Sequence, residues 1–241
     1  MRTRTTPLLC ELHAHSTWSD GDLTLTELVD LYGRSGFDVL CVTDHVGRKG
    51  WADPRWRVTG PAPFAEYLAA IEREIERARL AYGLLVVPGL ELTYDDDDPF
   101  AAAHAVAIGL RTFVGMDDGL ERALTYARSA GAALIAAHPY APPVSQDAVR
   151  PTARWAAGGH ALSELVDRFE LVNRRDVFPW VAEAGLPGVA SGDFHRREHL
   201  HTWKTLLPCV RSEPDVVDYL RSAKPVYLVD LAEPARIEAA A

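Results

Sequence analysis

The sequence predicts an α/β fold, a parallel sheet covered by helices. Two observations carry this. Short β-branched or apolar runs alternate with amphipathic segments along almost the whole chain. The length, 241 residues with 48% hydrophobic and 24% charged side chains, suits one large domain with a substantial core of its own. Seven or eight strand–helix units of this kind would close into a barrel. An open doubly wound sheet is the competing arrangement, and periodicity does not separate the two.

The elements follow in order. Strand signals fall at 8–15, 39–43, 84–92, 104–109, 133–138, 169–172, 189–191, 205–209 and 226–229. Between them, 24–33 opens with a capping-box pattern, Thr24 followed by Glu27. The helix at 64–82 carries Phe64, Leu68, Ile71, Ile75 and Ala78 at spacings of three and four. Further helices are predicted at 117–130, 163–168, 176–184 and 213–222. Two longer irregular stretches, 46–63 and 139–159, interrupt the alternation, the second with four prolines. Loops of this length in a compact domain are often functional lids.

Composition narrows the setting. No stretch approaches the roughly 18 apolar residues of a membrane span, and Leu8-Leu9-Cys10 before Glu11 is too short for a signal-peptide core. Cys10, Cys41 and Cys209 make no closed disulfide framework and no CxxC pair, so a cytoplasmic, reducing home is expected. A net charge of −9 disfavours long nucleic acid as a partner, because backbone binding needs many cationic contacts. A small phosphorylated substrate stays open, since bound cations would reverse the charge inside one pocket.

The nine histidines are placed more tellingly than they are numbered. His13 and His15 close the first strand run, where a spacing of two puts both imidazoles on one face. Asp20 follows in Ser19-Asp20-Gly21. His45 ends the second run and Glu91 the third. His104 opens the fourth, His138 ends the fifth, and Asp193 and His195 follow the seventh. Nearly all lie at the C-terminal ends of predicted strands, the edge where α/β sheets bind ligands. Six imidazoles and three carboxylates converging there need partners, because burying unpaired polar groups is costly. Divalent cations are the natural partner. An N/O donor set without thiolate suits Zn, Mn or Fe, and nine ligands could fill two or three sites bridged by Glu91 or Asp193. His160 and His201 fall outside the pattern and read as ordinary surface or core residues. His199, four residues past His195, is a candidate to face the pocket.

At these residues the chain resembles the PHP family, the polymerase and histidinol phosphatase domains. HxH stands as His13-Ala14-His15, the following acid as Asp20, TDH as Thr43-Asp44-His45 and GxE as Gly89-Leu90-Glu91. The mid-chain histidine is His104, AHP is Ala137-His138-Pro139, and GxDxH is Gly192-Asp193-Phe194-His195. The motifs run in family order over about 8–230, so 1–241 reads as one PHP domain, standing alone without a polymerase. Glu11 departs from the family's usual Asp before the first His, at a position that is not a ligand.

The resemblance implies a distorted (β/α)7 barrel, TIM-barrel-like, with a trinuclear centre of three divalent ions. It assigns His13, His15, Glu91 and Asp193 to one ion, Glu91, His104 and His138 to a second, and Asp20, His45 and His195 to a third. Asp44 would stand behind an imidazole, fixing its tautomer. The implied chemistry is attack of a metal-activated hydroxide on phosphorus, with Asp193 and His195 as ligands able to assist proton movement and inorganic phosphate as product. A small phosphomonoester such as a nucleotide or histidinol phosphate is the expected substrate. The alternatives are a phosphodiesterase or 3′–5′ exonuclease on oligonucleotide ends, amidohydrolase-like chemistry, and a non-catalytic metal-stabilised binding module. Arg48, Lys49, Arg196 and Arg197, adjoining ligands in sequence, are the expected phosphate contacts. Trp51, Trp56, Tyr140 and Trp155 are candidates to stack on a base or ring, and the acidic run 95–98 reads as a turn with one ion-facing carboxylate.

Overall fold

Each strand signal yields a strand, and each predicted helix but the one at 163–168 forms. A computed structural model describes residues 6–141 and 152–232, without the side chain of His160. The middle of the second predicted loop and both ends of the predicted domain thus lie outside the described residues. In chain order the elements are β1 (Leu8–Glu11), α1 (Leu25–Arg34), β2 (Val39–Val42), β3 (His45–Gly47), α2 (Pro61–Tyr82), β4 (Leu85–Tyr94) and β5 (Ala103–Ile108). Then follow α3 (Leu120–Ser129), β6 (Ala133–Ala137), α4 (Arg154–Ala157), α5 (Gly159–Ser163), β7 (Arg168–Asn173), β8 (Asp176–Val177) and α6 (Pro179–Glu183). The chain finishes with β9 (Gly188–Ser191), a 3-10 turn at Arg197–His201, β10 (Trp203–Leu207), α7 (Glu213–Arg221) and β11 (Tyr227–Asp230).

Local chemistry sets the helix ends. Thr24 and Glu27 form the reciprocal cap of α1. The long helix starts three residues earlier than the periodicity predicts, at Pro61, because proline suits a first turn whose N–H groups lack helical partners anyway. It stops at Gly83, whose φ of 66° is the left-handed conformation glycine adopts most readily. Its buried face carries Phe64, Tyr67 and Ile71, each contributing about 1.5–3 kcal/mol by burial. The helix expected at 163–168 is not formed. Helical structure ends at Ser163, and the backbone of Asp167 pairs with Leu134 at 2.8 Å, which starts β7 one residue later.

The sheet is mixed, not the parallel one predicted. Its order is β11-β10-β1-β2-β4-β5-β6-β7-β8, with β3 beside β4 and β9 beside β7. β4 and β5 are antiparallel because only the turn at 95–102 joins them, whereas parallel pairing requires a long crossover. β5 therefore starts at the edge where its neighbours finish, which brings His104, at the opening of its strand, level with residues that close theirs.

The sheet curls until its edges approach. Ala14 pairs with Phe194, the Thr205 hydroxyl donates to Ala190 O at 2.7 Å, and the Ala190 N–H donates back at 2.9 Å. Inside the curl Cys10, Leu12, Cys41, Val87, Val106, Ile108 and Ile135 pack with Val216, Val217 and Leu220 of α7. On the outer face Leu40, Val42, Val86, Leu90 and Leu134 meet the helices. No helix among the described residues is long and apolar enough to cross a membrane.

Candidate metal centre

The curl gathers all nine sequence-predicted ligands at one end of the sheet. Glu91 is the hub. Its Oε2 lies 3.2 Å from His13 Nε2, 3.2 Å from His15 Nε2 and 3.0 Å from His45 Nδ1. Its Oε1 lies 3.0 Å from His104 Nδ1 and 3.2 Å from His138 Nε2. Asp193 Oδ1 stands 3.6 Å from His13, 3.4 Å from His15 and 3.3 Å from His195. Asp20 Oδ1 stands 3.5 Å from His45 and 3.4 Å from His195. Three groups have donor atoms close enough to share a cation: His15 with Asp20, His45 and His195; His13 with His15 and Asp193; and Glu91 with His104 and His138.

These residues fit a cation better than they fit one another. His13 Nε2, His15 Nε2, Asp20 Oδ1 and Glu91 Oε2 are buried and make no hydrogen bond. Buried polar atoms are normally satisfied, and the residues of all four belong to these groups. Two of these positions also hold strained backbone: His138 at φ 29° and Asp193 at φ 41°, values that residues other than glycine rarely adopt.

Charge is distributed accordingly. Burial works against ionisation of Glu91, but the surrounding imidazoles, His45 and His13 first, hold its carboxyl well below the usual range. Asp193 behaves likewise, burial being outweighed by His13 and His195. Burial pulls His15 down, yet Asp193 and Glu91 hold it up at about 9. His104 is held at about 9 against the same penalty by Asp95 and Glu91. With burial dominant, His45 is lowered. At neutral pH the metal-free site thus keeps protons where cations would otherwise sit.

Outer groups hold these side chains in place. Glu170 lies 2.9 Å from His13 Nδ1 and accepts from His138 N at 2.6 Å, Asn173 Nδ2 at 2.7 Å and the Ser191 hydroxyl. Thr93 Oγ1 lies 2.7 Å from His45 Nδ1, and Asp95 Oδ1 lies 3.0 Å from His104 Nε2. Asp44 is corrected in detail: it accepts from Ser16 N and from the Ser16 and Ser19 hydroxyls, and reaches His15 only through Ser19, whose Oγ is 3.3 Å from Nδ1. The signal for Glu170 was available, a lone acid inside an otherwise apolar strand run.

The expected phosphate contacts lie elsewhere. A cavity of about 420 Å³ opens over the cluster, lined by Arg55, Arg174, Asn173, Tyr140, Asp53 and Asp176 around the ligands. Arg48 and Lys49 instead line a separate cavity behind Trp56, where Arg48 packs over Tyr94 at 3.9 Å and bonds the Asp95 carbonyl. Arg196 and Arg197 are exposed and outside the lining, because the chain turns away from the cluster into the Arg197–His201 turn. His199 supports from behind, its Nδ1 accepting the His195 N–H at 3.0 Å. Arg174 was missed by sequence reasoning, having no ligand beside it in the chain. It donates to Asp193 Oδ2 at 2.9 Å and lies 3.1 Å from His195 Nδ1. Of the aromatics, Trp56 stacks on His45 at 4.3 Å and lines the cavity together with Tyr140, whose hydroxyl is near Asp176; Trp155 is buried against the His104 carbonyl, and Trp51 lies 4.8 Å from the Arg48 guanidinium.

Fold and donor set together define a mixed α/β domain with a candidate metal centre. Known proteins resemble it in fold. A two-domain protein containing a predicted PHP-like metal-dependent phosphoesterase, from Bacteroides vulgatus ATCC 8482, superposes with a TM-score of 0.65 at 20% identity, over 94% of this chain and 65% of that one. An amidohydrolase from Chromobacterium violaceum, with bound sulfate and no metal, superposes with a TM-score of 0.50 at 15% identity, over 77% of this chain and 87% of that one. In sequence the chain is 30% identical over 93 residues to the DNA polymerase/3′-5′ exonuclease PolX of Bacillus subtilis (strain 168), a stretch covering 36% of this chain and 15% of that protein. The chain therefore spans less than two thirds of the first of these and of PolX. No family model matches it. The structural likenesses establish the fold.

Proposed function

We propose that this protein is a metal-dependent phosphoesterase that hydrolyses a small phosphomonoester, such as a nucleotide or histidinol phosphate, and releases inorganic phosphate. The carrying observation is the hub at Glu91: a fully buried carboxylate ringed by five imidazoles, with Oε2 unbonded, at the base of the 420 Å³ cavity. In this reading His13, His15, Glu91 and Asp193 hold one ion, Glu91, His104 and His138 a second, and Asp20, His45 and His195 a third. Zn, Mn and Fe all suit the N/O donors. Such ions supply Lewis-acid charge and water activated near neutral pH for attack at phosphorus. Glu170, Thr93 and Ser19 fix the imidazole tautomers. Arg174 and Arg55, held by Asp193 and Asp53, bring positive charge to the cavity for the phosphoryl oxygens, and in this reading Asp193 and His195 assist proton movement toward the leaving oxygen. The ring of β1, β2, β4, β5, β6, β7 and β9, joined through the Ala14–Phe194 pair, reads as the distorted (β/α)7 barrel. The proposed setting is a reducing cytosol, consistent with three free cysteines.

The PolX likeness favours one second reading, a phosphodiesterase acting on oligonucleotide ends. A panel of p-nitrophenyl phosphate, nucleoside monophosphates and a labelled oligonucleotide, assayed with Zn²⁺, Mn²⁺ and Fe²⁺, separates the two. Faster turnover of the monoesters with phosphate release supports the proposal. Faster trimming of the oligonucleotide supports the second reading. A metal-raised melting temperature with no hydrolysis of any ester contradicts both and leaves a binding module.

A further inference from the structure

Glu11 and Lys204 form an ion pair that is fully buried, both side chains at 0% exposure; Glu11 accepts from Tyr32 of α1 on the helix-covered face of the sheet, opposite the inner face of its neighbour Cys10. Buried ion pairs are a weak source of stability, and apolar replacements of similar volume are often neutral or stabilising. The contacts of this pair suggest another use.

The ladder breaks its alternation beside Glu11. Cys10 and Leu12 pack inside the curl with Val87 and Ile135. His13 and His15, at the opposite parity, meet Glu91, which shares the inner face with Val87. The inward side thus shifts by one residue between Leu12 and His13, just past the end of β1. Backbone N–H groups at such a break need an acceptor, and Glu11 supplies it. Its Oε1 accepts from Leu12 N at 3.1 Å, His13 N at 3.3 Å and Gly192 N at 2.8 Å. Its Oε2 accepts from Tyr32 OH at 2.8 Å and lies 3.2 Å from Lys204 Nζ. Lys204 in turn donates to the Thr202 hydroxyl at 2.8 Å and to the carbonyl of His199 at 3.1 Å, the residue whose Nδ1 holds His195 N. The pair also accounts for glycine at 192: a Cβ there would lie 2.3 Å from Glu11 Oε2 and 2.5 Å from Lys204 Nζ.

We infer that Glu11 is a positioning residue of the metal centre: from behind the sheet, its carboxylate, anchored by Lys204, ties the His13–His15 segment to the Gly192–His195 segment and so sets the spacing of the ligands they carry. This rests on the metal reading given above. It concerns backbone register, and the charge of the pair serves to hold the acceptor in place.

The test is Zn²⁺ titration of chelated protein, with the melting temperature of each metal-free variant recorded. The charge-free variant E11L/K204M removes the acceptor; it is expected to melt below the wild-type temperature, because three buried N–H groups lose their partner, and to bind Zn²⁺ about 10–100-fold more weakly. The variant E11Q/K204M keeps an acceptor oxygen and is expected to restore affinity to within about threefold of wild type. G192A, which crowds the pair without removing it, is expected to weaken Zn²⁺ binding about tenfold, and it decides the matter where E11L/K204M does not fold. Wild-type affinity in E11L/K204M or in G192A overturns the inference, as does failure of the Gln variant to restore it. Absence of Zn²⁺ binding by the wild-type protein overturns the metal reading itself, and the inference with it.

Discussion

Glu11 and Glu91 are both fully buried carboxylates on opposite faces of one sheet, and their surroundings differ in kind. Glu11 is met by three backbone N–H groups, a tyrosine hydroxyl and an ammonium, all donors. Glu91 is met by five imidazoles, each of which when neutral has one donor and one acceptor, and its Oε2 is left without a hydrogen bond. A carboxylate that serves the fold is matched to donors. One that serves a ligand is surrounded by other lone pairs, and the region is incomplete until a cation or protons arrive.

The largest expected effect comes from removing the hub. Glu91→Gln should cost more than about 100-fold in metal affinity and turnover, beyond the loss typical of an outer partner, and the metal-free protein should melt lower than wild type at neutral pH, because the imidazoles held up at about 9 lose the carboxylate they pair with. Wild-type metal content in that variant would erase the distinction between the two carboxylates.

Glu170 sits between the two kinds, donor-matched like Glu11 yet bonded to a ligand. Glu170→Gln should fold and should weaken metal binding by about 10–100-fold, since it orients His13 and the His138 backbone. An unchanged affinity would place Glu170 with the fold alone.

How far the sequence carries this account depends on the range of the interactions. The nine candidate ligand positions could be read because HxH alternation and strand-end placement are local patterns, and the structure brings their side chains together in three adjoining groups. His104 looked anomalous at a strand start until the antiparallel β5 put that start at the common edge. Arg174 and Arg55 were not legible, because adjacency to a ligand in the chain says little about which loop leans over the cavity. Arg196 follows His195 and is exposed, whereas Arg174 comes from another strand end and reaches Asp193. The parallel sheet was misjudged at β4–β5 because a short run of aspartates does not announce a hairpin. The helix expected at 163–168 failed because Asp167 and Arg168 are recruited by sheet pairing, and Arg168 by the carbonyls that end α7.

Proton occupancy gives a milder test of the same contrast. In chelated protein His15 and His104 titrate at about 9, above the ordinary 6.5. Groups raised in the folded state stabilise it fully below their unfolded value, and that contribution is lost as pH rises through the folded value. The melting temperature of chelated protein should therefore fall as pH rises from 7 to beyond about 9, and Zn²⁺-loaded protein, in which cations replace those protons, should not show the fall. Proton release on adding Zn²⁺ near neutral pH would confirm the exchange. Parallel pH profiles with and without metal would contradict it.

The smallest effects belong to the cavity rim. Arg174→Ala should raise KM several-fold with a lesser change in kcat, as expected for loss of ground-state phosphate binding. Arg196→Ala, outside the cavity lining, should leave both within about twofold. The reverse ranking would show that substrate approaches from the side of the Arg197–His201 turn.

The most direct measurement is elemental analysis of protein purified without chelator, wild type beside Glu91→Gln. The account predicts that the wild type retains more than one first-row transition-metal ion per chain and that the variant loses most of that content. A metal-free wild type that also takes up neither Zn²⁺ nor Mn²⁺ on titration would contradict it.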